Sequence, residues 1–238
     1  WIIDDTGFIK QGKHSVGVKR QYTGSAGKVT NCQIGTSLTI ATATEHLPID
    51  FELYLPKSWT DEPARCRRAG VPEEVIFKTK PVLALDMIRR AVAIGVPPGV
   101  VLGDSAYGTS SDFRHGVRQL GLHYSLGVDP QTTVWENGDV VNRGGAGISV
   151  RDLAKKLNAK GKFRRCTWRA GTKADLTARF AMRRVSPCRE QCRDINDREE
   201  VWLLVEWRDG EDEPANYFFS SLPKTTRRKK LVRVTMQR

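Results

Sequence analysis

No run of about 18 consecutive apolar residues, the length a membrane-spanning helix needs, occurs in this sequence. Nor does a charged segment followed by an apolar one open it, so neither a transmembrane span nor a secretory signal is legible. A disulfide framework is missing as well. The five cysteines, Cys32, Cys66, Cys166, Cys188 and Cys192, are odd in number and scattered, which suits reduced thiols in a cytoplasmic setting. Cys188 and Cys192 form a lone C-x3-C. Even with Cys166 added, they lack the second pair usual at zinc sites. There is no internal repeat and no extended low-complexity segment, which sets repeat architectures aside. An initial methionine is lacking too: Trp1 begins inside the apolar run Trp1-Ile2-Ile3, and the chain is expected to be a fragment.

What is present is a chain of 238 residues with 39% hydrophobic content, enough for a genuine core. Its formal charge of +12 is unevenly placed. Residues 1–150 carry 16 basic and 15 acidic side chains, whereas 151–193 carry 14 and 3, 194–223 carry 2 and 9, and 224–238 carry 7 and none. Evenly spread charge speaks of solubility, but clustered positive charge speaks of an anionic partner.

From Ser15 to Thr44 the chain is rich in Val, Thr, Ile and Tyr around a Gly24-Ser25-Ala26-Gly27 turn signal, and Pro48–Leu55 reads as a further strand. Thr79 to Gly95 has the features of a helix, with Thr79 able to cap, Pro81 in the first turn, and Leu85, Ile88 and Val92 at helical spacing. The apolar run ending at Gly103 fits a strand buried on both faces, followed by a helix over Ser111–Leu120 and a strand over Leu122–Val128. This order predicts an α/β sheet with mixed strand directions. After Asp129 come Gly-rich turns (Asn137-Gly138, Gly144-Gly145), a short basic helix near Val150–Leu157, and strands near Phe180–Val185, Val201–Trp207 and Tyr217–Leu222. Residues 130–222 therefore read as a mainly β, basic insertion.

Asp4 and Asp5 follow one apolar run and Asp104 follows another. Carboxylates at the ends of neighbouring strands repel one another unless a cation bridges them, and hard oxygen ligands favour Mg²⁺ or Mn²⁺. Phosphodiester cleavage uses such a pair. Spacing alone favours a turn or capping role over a metal site, since Asp at a strand end is common in turns.

The ordered blocks Asp4-Asp5-Thr6-Gly7-Phe8, Gly12 to Val18, Arg20-Gln21-Tyr22, Gly27 to Gln33, Leu53-Tyr54-Leu55-Pro56, Trp59, Gly70-Val71-Pro72, Thr79-Lys80-Pro81, Gly103 to Gly108 and Tyr217 to Pro223 span almost the whole chain. Together they resemble the catalytic domain of bacterial insertion-sequence transposases of the DDE type. That resemblance implies an RNase H-like mixed sheet flanked by helices and carrying a β-rich basic insertion. It also implies metal-dependent cleavage and strand transfer of DNA ends, using Mg²⁺ or Mn²⁺. The first catalytic and metal-ligating aspartate carries over to Asp5, on the first strand, with Asp4 as the alternative. The second carries over to Asp104, on the fourth. The third acid, a glutamate on a helix after the insertion, does not carry over, because the sequence ends at Met236-Gln237-Arg238. Glu199, Glu200, Glu206 and Glu211 fall inside the insertion and are not assigned that role.

The expected organisation is a partial catalytic core over 1–129, the insertion over 130–222, and a basic connector over 223–238. Expected partners are transposon-end and target DNA, with no membrane; the complete protein could pair as a homodimer. Candidate DNA contacts are Lys13, His14, Lys19 and Arg20 near the first acid, and Lys155, Lys156, Arg164 and Arg165 in the insertion. Phe163, Trp168 and Phe180, interleaved with those charges, are either base-stacking groups or core aromatics. Two other readings stand beside this one: an inactive DNA-binding remnant, and another RNase H-like nuclease such as a resolvase.

Overall fold

A computed structural model describes residues 1–42, 44–136, 147–171, 174–188 and 199–238. The chain divides into two compact units, Trp1–Pro98 and Gly99–Arg238. The Gly-rich turns expected at 137–145 and Cys192 lie outside the described residues.

The first unit opens with four antiparallel strands, β1 (Ile2–Ile9), β2 (Lys19–Thr23), β3 (Lys28–Ala41) and β4 (His46–Tyr54). The long β3 pairs with each of the other three. The turn from β2 to β3 occupies Gly24–Gly27, where Gly27 takes the left-handed conformation (φ +62°) that glycine adopts without a Cβ penalty. Two short helices, α1 (Lys57–Thr60) and α2 (Pro63–Arg68), precede the longer α3 (Lys80–Ala93). Pro81 sits in the first turn of α3, where its missing N–H is harmless, and Gly95 (φ +77°) follows its end. Helix α3 lies against β3 and β4 with Leu83, Ala84, Leu85, Met87, Ile88 and Ala91 buried. Each of its larger buried side chains contributes about 1.5–3 kcal/mol. Ala91, not Val92, faces inward in the last turn, and the Thr79 hydroxyl makes no capping hydrogen bond.

The second unit begins with β5 (Val101–Gly103), α4 (Ser105–Gly108), α5 (Ser111–Gln119) and β6 (Tyr124–Gly127). Strands β5 and β6 are parallel, so the chain must cross over between them, and α4 and α5 form that crossover. All three β5 residues are buried. The remaining elements are β7 (Thr133–Glu136), β8 (Ile148–Ser149), α6 (Val150–Ala159), β9 (Arg164–Arg169), β10 (Leu176–Pro187), β11 (Val201–Trp207), β12 (Asn216–Ser220) and α7 (Arg228–Thr235). The sheet order runs β5-β6-β12-β11-β10-β7-β8, with β9 also on β10, so strands from the 130–222 segment continue the sheet begun by β5 and β6.

The 223–238 stretch, read from sequence as a basic connector, contains a packed helix. Leu231 and Val232 of α7 join Ala178, Phe180, Leu204 and Leu222 in one core cluster, while Lys229, Lys230 and Arg233 are exposed. Mixed strand directions, a mostly antiparallel open sheet and flanking helices make this an RNase H-like α/β architecture. No helix among the described residues is long and apolar enough to cross a membrane.

Candidate active site

Successive side chains of a strand point to opposite faces, so Asp4 and Asp5 on β1 look in different directions. Asp4 is exposed, and its Oδ1 accepts from the Asp5 backbone N–H at 2.9 Å. Asp5 lies opposite Thr36 of β3, and its carboxylate is 16% exposed. The Thr36 hydroxyl donates to Asp5 Oδ1 at 3.1 Å, and the Lys80 ammonium, at the start of α3, sits 2.9 Å from Oδ2. The same ammonium lies 5.6 Å from the centre of the Tyr54 ring.

Asp104 comes directly after β5, the fifth strand in chain order rather than the fourth, because the antiparallel set before it has four members. It is the N-cap of α4: Oδ1 accepts from the Ala106 N–H at 3.0 Å, while Oδ2 lies 3.5 Å from an Arg238 guanidinium nitrogen. Its side chain is 40% exposed. It lines a cleft of about 320 Å³ together with Asp129, Arg151, Tyr217 and Arg238.

Glycines fix the loop that carries Asp104. A Cβ on Gly108 would stand 1.8 Å from the Gly127 carbonyl oxygen, and one on Gly127 would stand 3.0 Å from the Ser105 nitrogen and 3.1 Å from the Asp104 carbonyl carbon. Helix α4 therefore rests directly on the β6 backbone. Tyr107 anchors it from inside, fully buried with its ring 5.5 Å from that of Phe113. At the far end of α4 the Arg114 guanidinium donates to the carbonyls of Gly108 (2.5 Å) and Thr109 (3.3 Å), the favoured place for a cation on a helix.

Arg114 is itself buried and stands 3.5 Å from Glu199, which also accepts a hydrogen bond from the Tyr124 hydroxyl and faces Arg118. Burial, and then the Glu199 charge, push the Tyr124 phenol well above its usual value. Sequence reading named neither Arg114 nor Tyr124, since their shared partner lies 85 and 75 positions away.

The glutamates of the insertion are engaged elsewhere. Besides Glu199 in that network, Glu200 pairs with Arg184 and Lys224, Glu206 is buried on Asn216 and Arg208, and Glu211 faces Arg208. Among the described residues no group of three or more His, Cys, Asp or Glu side chains is placed to hold a metal. Cys32, Cys66 and Cys166 are free thiols.

The candidate DNA-contacting residues separate into distinct environments. Lys13 and His14 are exposed and line one cleft of the first unit. Lys19 and Arg20 are adjacent on β2 and so point to opposite faces of the strand. In the second unit Lys155 pairs with Glu213 at 2.6 Å, Lys156 pairs with Glu136, Arg165 pairs with Asp209 at 3.0 Å, and Arg164 donates to the carbonyls of Gly161 and Phe163. Arg151, Arg179, Arg183 and Arg184 also have acidic partners, so the acidic 194–223 segment and Glu136 meet much of the 151–193 charge. The interleaved aromatics are core: Phe180 is fully buried under Trp168, and Phe163 packs edge-on against Trp207 at 5.4 Å.

Comparison with known proteins bears on these motifs. The chain is 30% identical over 128 residues to a protein of Microchaete diplosiphon described as the probable transposase for insertion sequence element IS701. The aligned region is 53% of this chain and 31% of that relative, so the chain spans about a third of the relative's length. The family profile described as DDE superfamily endonuclease matches residues 1–175, which include β1 with Asp5, the Asp104 loop and the β5–β6 crossover. The chain belongs to the DDE superfamily endonucleases.

Proposed function

We propose that this chain is the catalytic portion of an insertion-sequence transposase, acting on DNA ends by metal-dependent phosphodiester cleavage and strand transfer. Asp5 and Asp104 are the metal-ligating carboxylates of that reading. The observation that carries it is a shared local design. Each carboxylate has one oxygen fixed by a neutral donor, Thr36 or Ala106, while the other faces a cationic side chain, Lys80 or Arg238.

A pair of hard anionic oxygens suits Mg²⁺ or Mn²⁺ rather than a softer ion. Held by Asp5 and Asp104, such an ion would supply charge neutralisation at the reacting phosphodiester oxygens. The protein's part is positional. Thr36 and the Ala106 N–H hold each carboxylate in one rotamer, and the glycine contacts under α4 keep the Asp104 backbone from drifting. Lys80 and Arg238 offset carboxylate charge when no metal ion does.

DNA is the substrate class, supported by membership of an endonuclease superfamily and by the description of the IS701 relative. The test uses a complete transposase containing this chain, a labelled transposon-end duplex and Mg²⁺ or Mn²⁺. Cleavage should fall by at least about a thousandfold in Asp5→Asn and Asp104→Asn, since loss of several kcal/mol of transition-state stabilisation gives that factor. Undiminished cleavage by either variant would remove that residue from the site. The isolated 238-residue chain, carrying only two assigned acids, is expected to bind the duplex and cut it poorly. Robust cleavage by it would place the third acid among these residues.

A further inference from the structure

Helices α1 and α2 fold back so that Trp59 is buried beside Val18 and Leu55, its indole N–H donating to the Val18 carbonyl at 2.8 Å. The Arg65 guanidinium carbon lies over that indole, 3.8 Å from the ring centre. One of its nitrogens donates to the Lys13 carbonyl at 3.1 Å, tying α2 to the loop that follows β1. Its other contact is loose, 3.9 Å to the exposed Glu62. Stacking and the carbonyl bond thus hold the guanidinium in one orientation, with donors turned to solvent.

The cleft beside it encloses about 620 Å³ and is lined by Lys13, His14, Trp59, Glu62, Arg65 and Arg68. Lys13 and Arg68 are exposed and have no acidic partner among the described residues. A ring-stacked arginine sharing a cleft with two exposed cations, against the single carboxylate of Glu62, is an arrangement for anionic oxygens. Its planar fork matches a phosphate geometrically, and less entropy is lost on binding because the fork is already fixed.

We propose that this cleft is a clamp for the DNA backbone, in which Lys13, Arg65 and Arg68 take phosphate oxygens. Trp59 is 1% exposed and cannot stack on a base, so the clamp grips phosphates without reading sequence. The proposal rests on DNA being the substrate, but it is independent of the metal-ligating carboxylates. Lys13 and His14 alone were visible as candidates in the sequence; Arg65 and Arg68 lie more than 50 positions further on and are joined to them only by the fold.

The experiment measures binding of the 238-residue chain to two unrelated fluorescein-labelled 20-bp duplexes by anisotropy, in EDTA and across a KCl series. The double variant Lys13→Ala/Arg68→Ala changes exposed side chains only, and an unchanged melting curve confirms that it is folded. Losing two phosphate contacts should reduce the slope of log K against log salt by about 1.8 and weaken binding on the order of 50-fold at 0.1 M KCl, equally for both sequences. Arg65→Lys, which keeps the charge but loses the planar stack, should weaken binding less, with its slope near that of the unaltered protein. An unchanged slope in the double variant overturns the clamp. So does a slope reduced only by Lys160→Ala/Lys162→Ala in the second unit. Absence of any salt-dependent binding by the unaltered chain would instead overturn the DNA-substrate reading and the clamp with it.

Discussion

Asp5 and Asp104 are held in two different ways. Asp5 lies within an eight-residue strand, half-sheltered, and its carboxylate is oriented by side chains: a threonine across the sheet and a lysine from α3. Asp104 lies at a loop-to-helix junction, more open to water, and is oriented by backbone: a peptide N–H in front and glycine-on-glycine packing beneath. A strand already fixes the backbone through its ladder, so only the rotamer remains to be set. A junction has no ladder, and close backbone packing does that work. Disturbing Asp104 should therefore need a backbone change, whereas disturbing Asp5 should need only the loss of a side chain.

The largest effect should come from Gly108→Ala. The added methyl meets the Gly127 carbonyl oxygen at 1.8 Å, and forcing α4 off β6 should cost about 3 kcal/mol, or about 6–12 °C in the melting of the second unit. Gly12→Ala, where a Cβ meets nothing within 4 Å, is the control and should stay within about 0.5 kcal/mol. Equal melting temperatures for the two variants would mean that the junction is not held by backbone contact.

Next in size is the contrast between the two cations. Lys80→Met leaves a carboxylate of low exposure with Thr36 as its remaining hydrogen-bond partner of those described above, and should cost about 1–2 kcal/mol in urea unfolding. Arg238→Ala breaks a longer contact between exposed groups and should cost less than about 0.5 kcal/mol. The reverse order would show that Asp104, not Asp5, depends on its charged neighbour.

The smallest effect is graded, and each unit has its own reporter. Burial raises the Asp86 carboxyl, but hydrogen bonds from Lys78 and Arg89 outweigh it and leave the group below its ordinary value. Glu200 is likewise lowered, with Lys224 and Arg184 outweighing burial. A carboxylate whose folded pKa is depressed contributes stability fully above its unfolded pKa, near about 4, and loses it as pH falls through the lower folded value. Urea midpoints should decline from about pH 5 downwards, more gently in Asp86→Asn and Glu200→Gln. A decline that steepens in these variants would contradict the sign.

Elements with strong periodicity were legible in the sequence. Helices α3, α5 and α6 and strands β10, β11 and β12 fall within a few residues of expectation, since apolar spacing decides them. The short α1, α2 and α4 were not foreseen, because four to six residues hold too few apolar positions to show a period. Helix α7 hid behind its charges, because Leu231 and Val232 are an apolar pair within a run of lysines and arginines. Asp5 and Asp104 could be named from their motifs. Their partners could not, since Lys80 and Arg238 stand 75 and 134 positions away, and such pairings exist only once the chain is folded. Charge counting was least informative in the insertion, because a sum over 151–193 cannot register that Asp209, Glu213 and Glu136 lie against those arginines and lysines.

The contact of Gly108 with Gly127 also has a genetic side. Every missense change in a glycine codon introduces a residue with a Cβ, so no single-base missense substitution at Gly108 escapes the 1.8 Å approach to the Gly127 oxygen. An aspartate codon that drifts to glutamate keeps a carboxylate, but a glycine codon has no such conservative neighbour. Under point mutation, the seat of Asp104 is then less tolerant of conservative change than Asp104 itself.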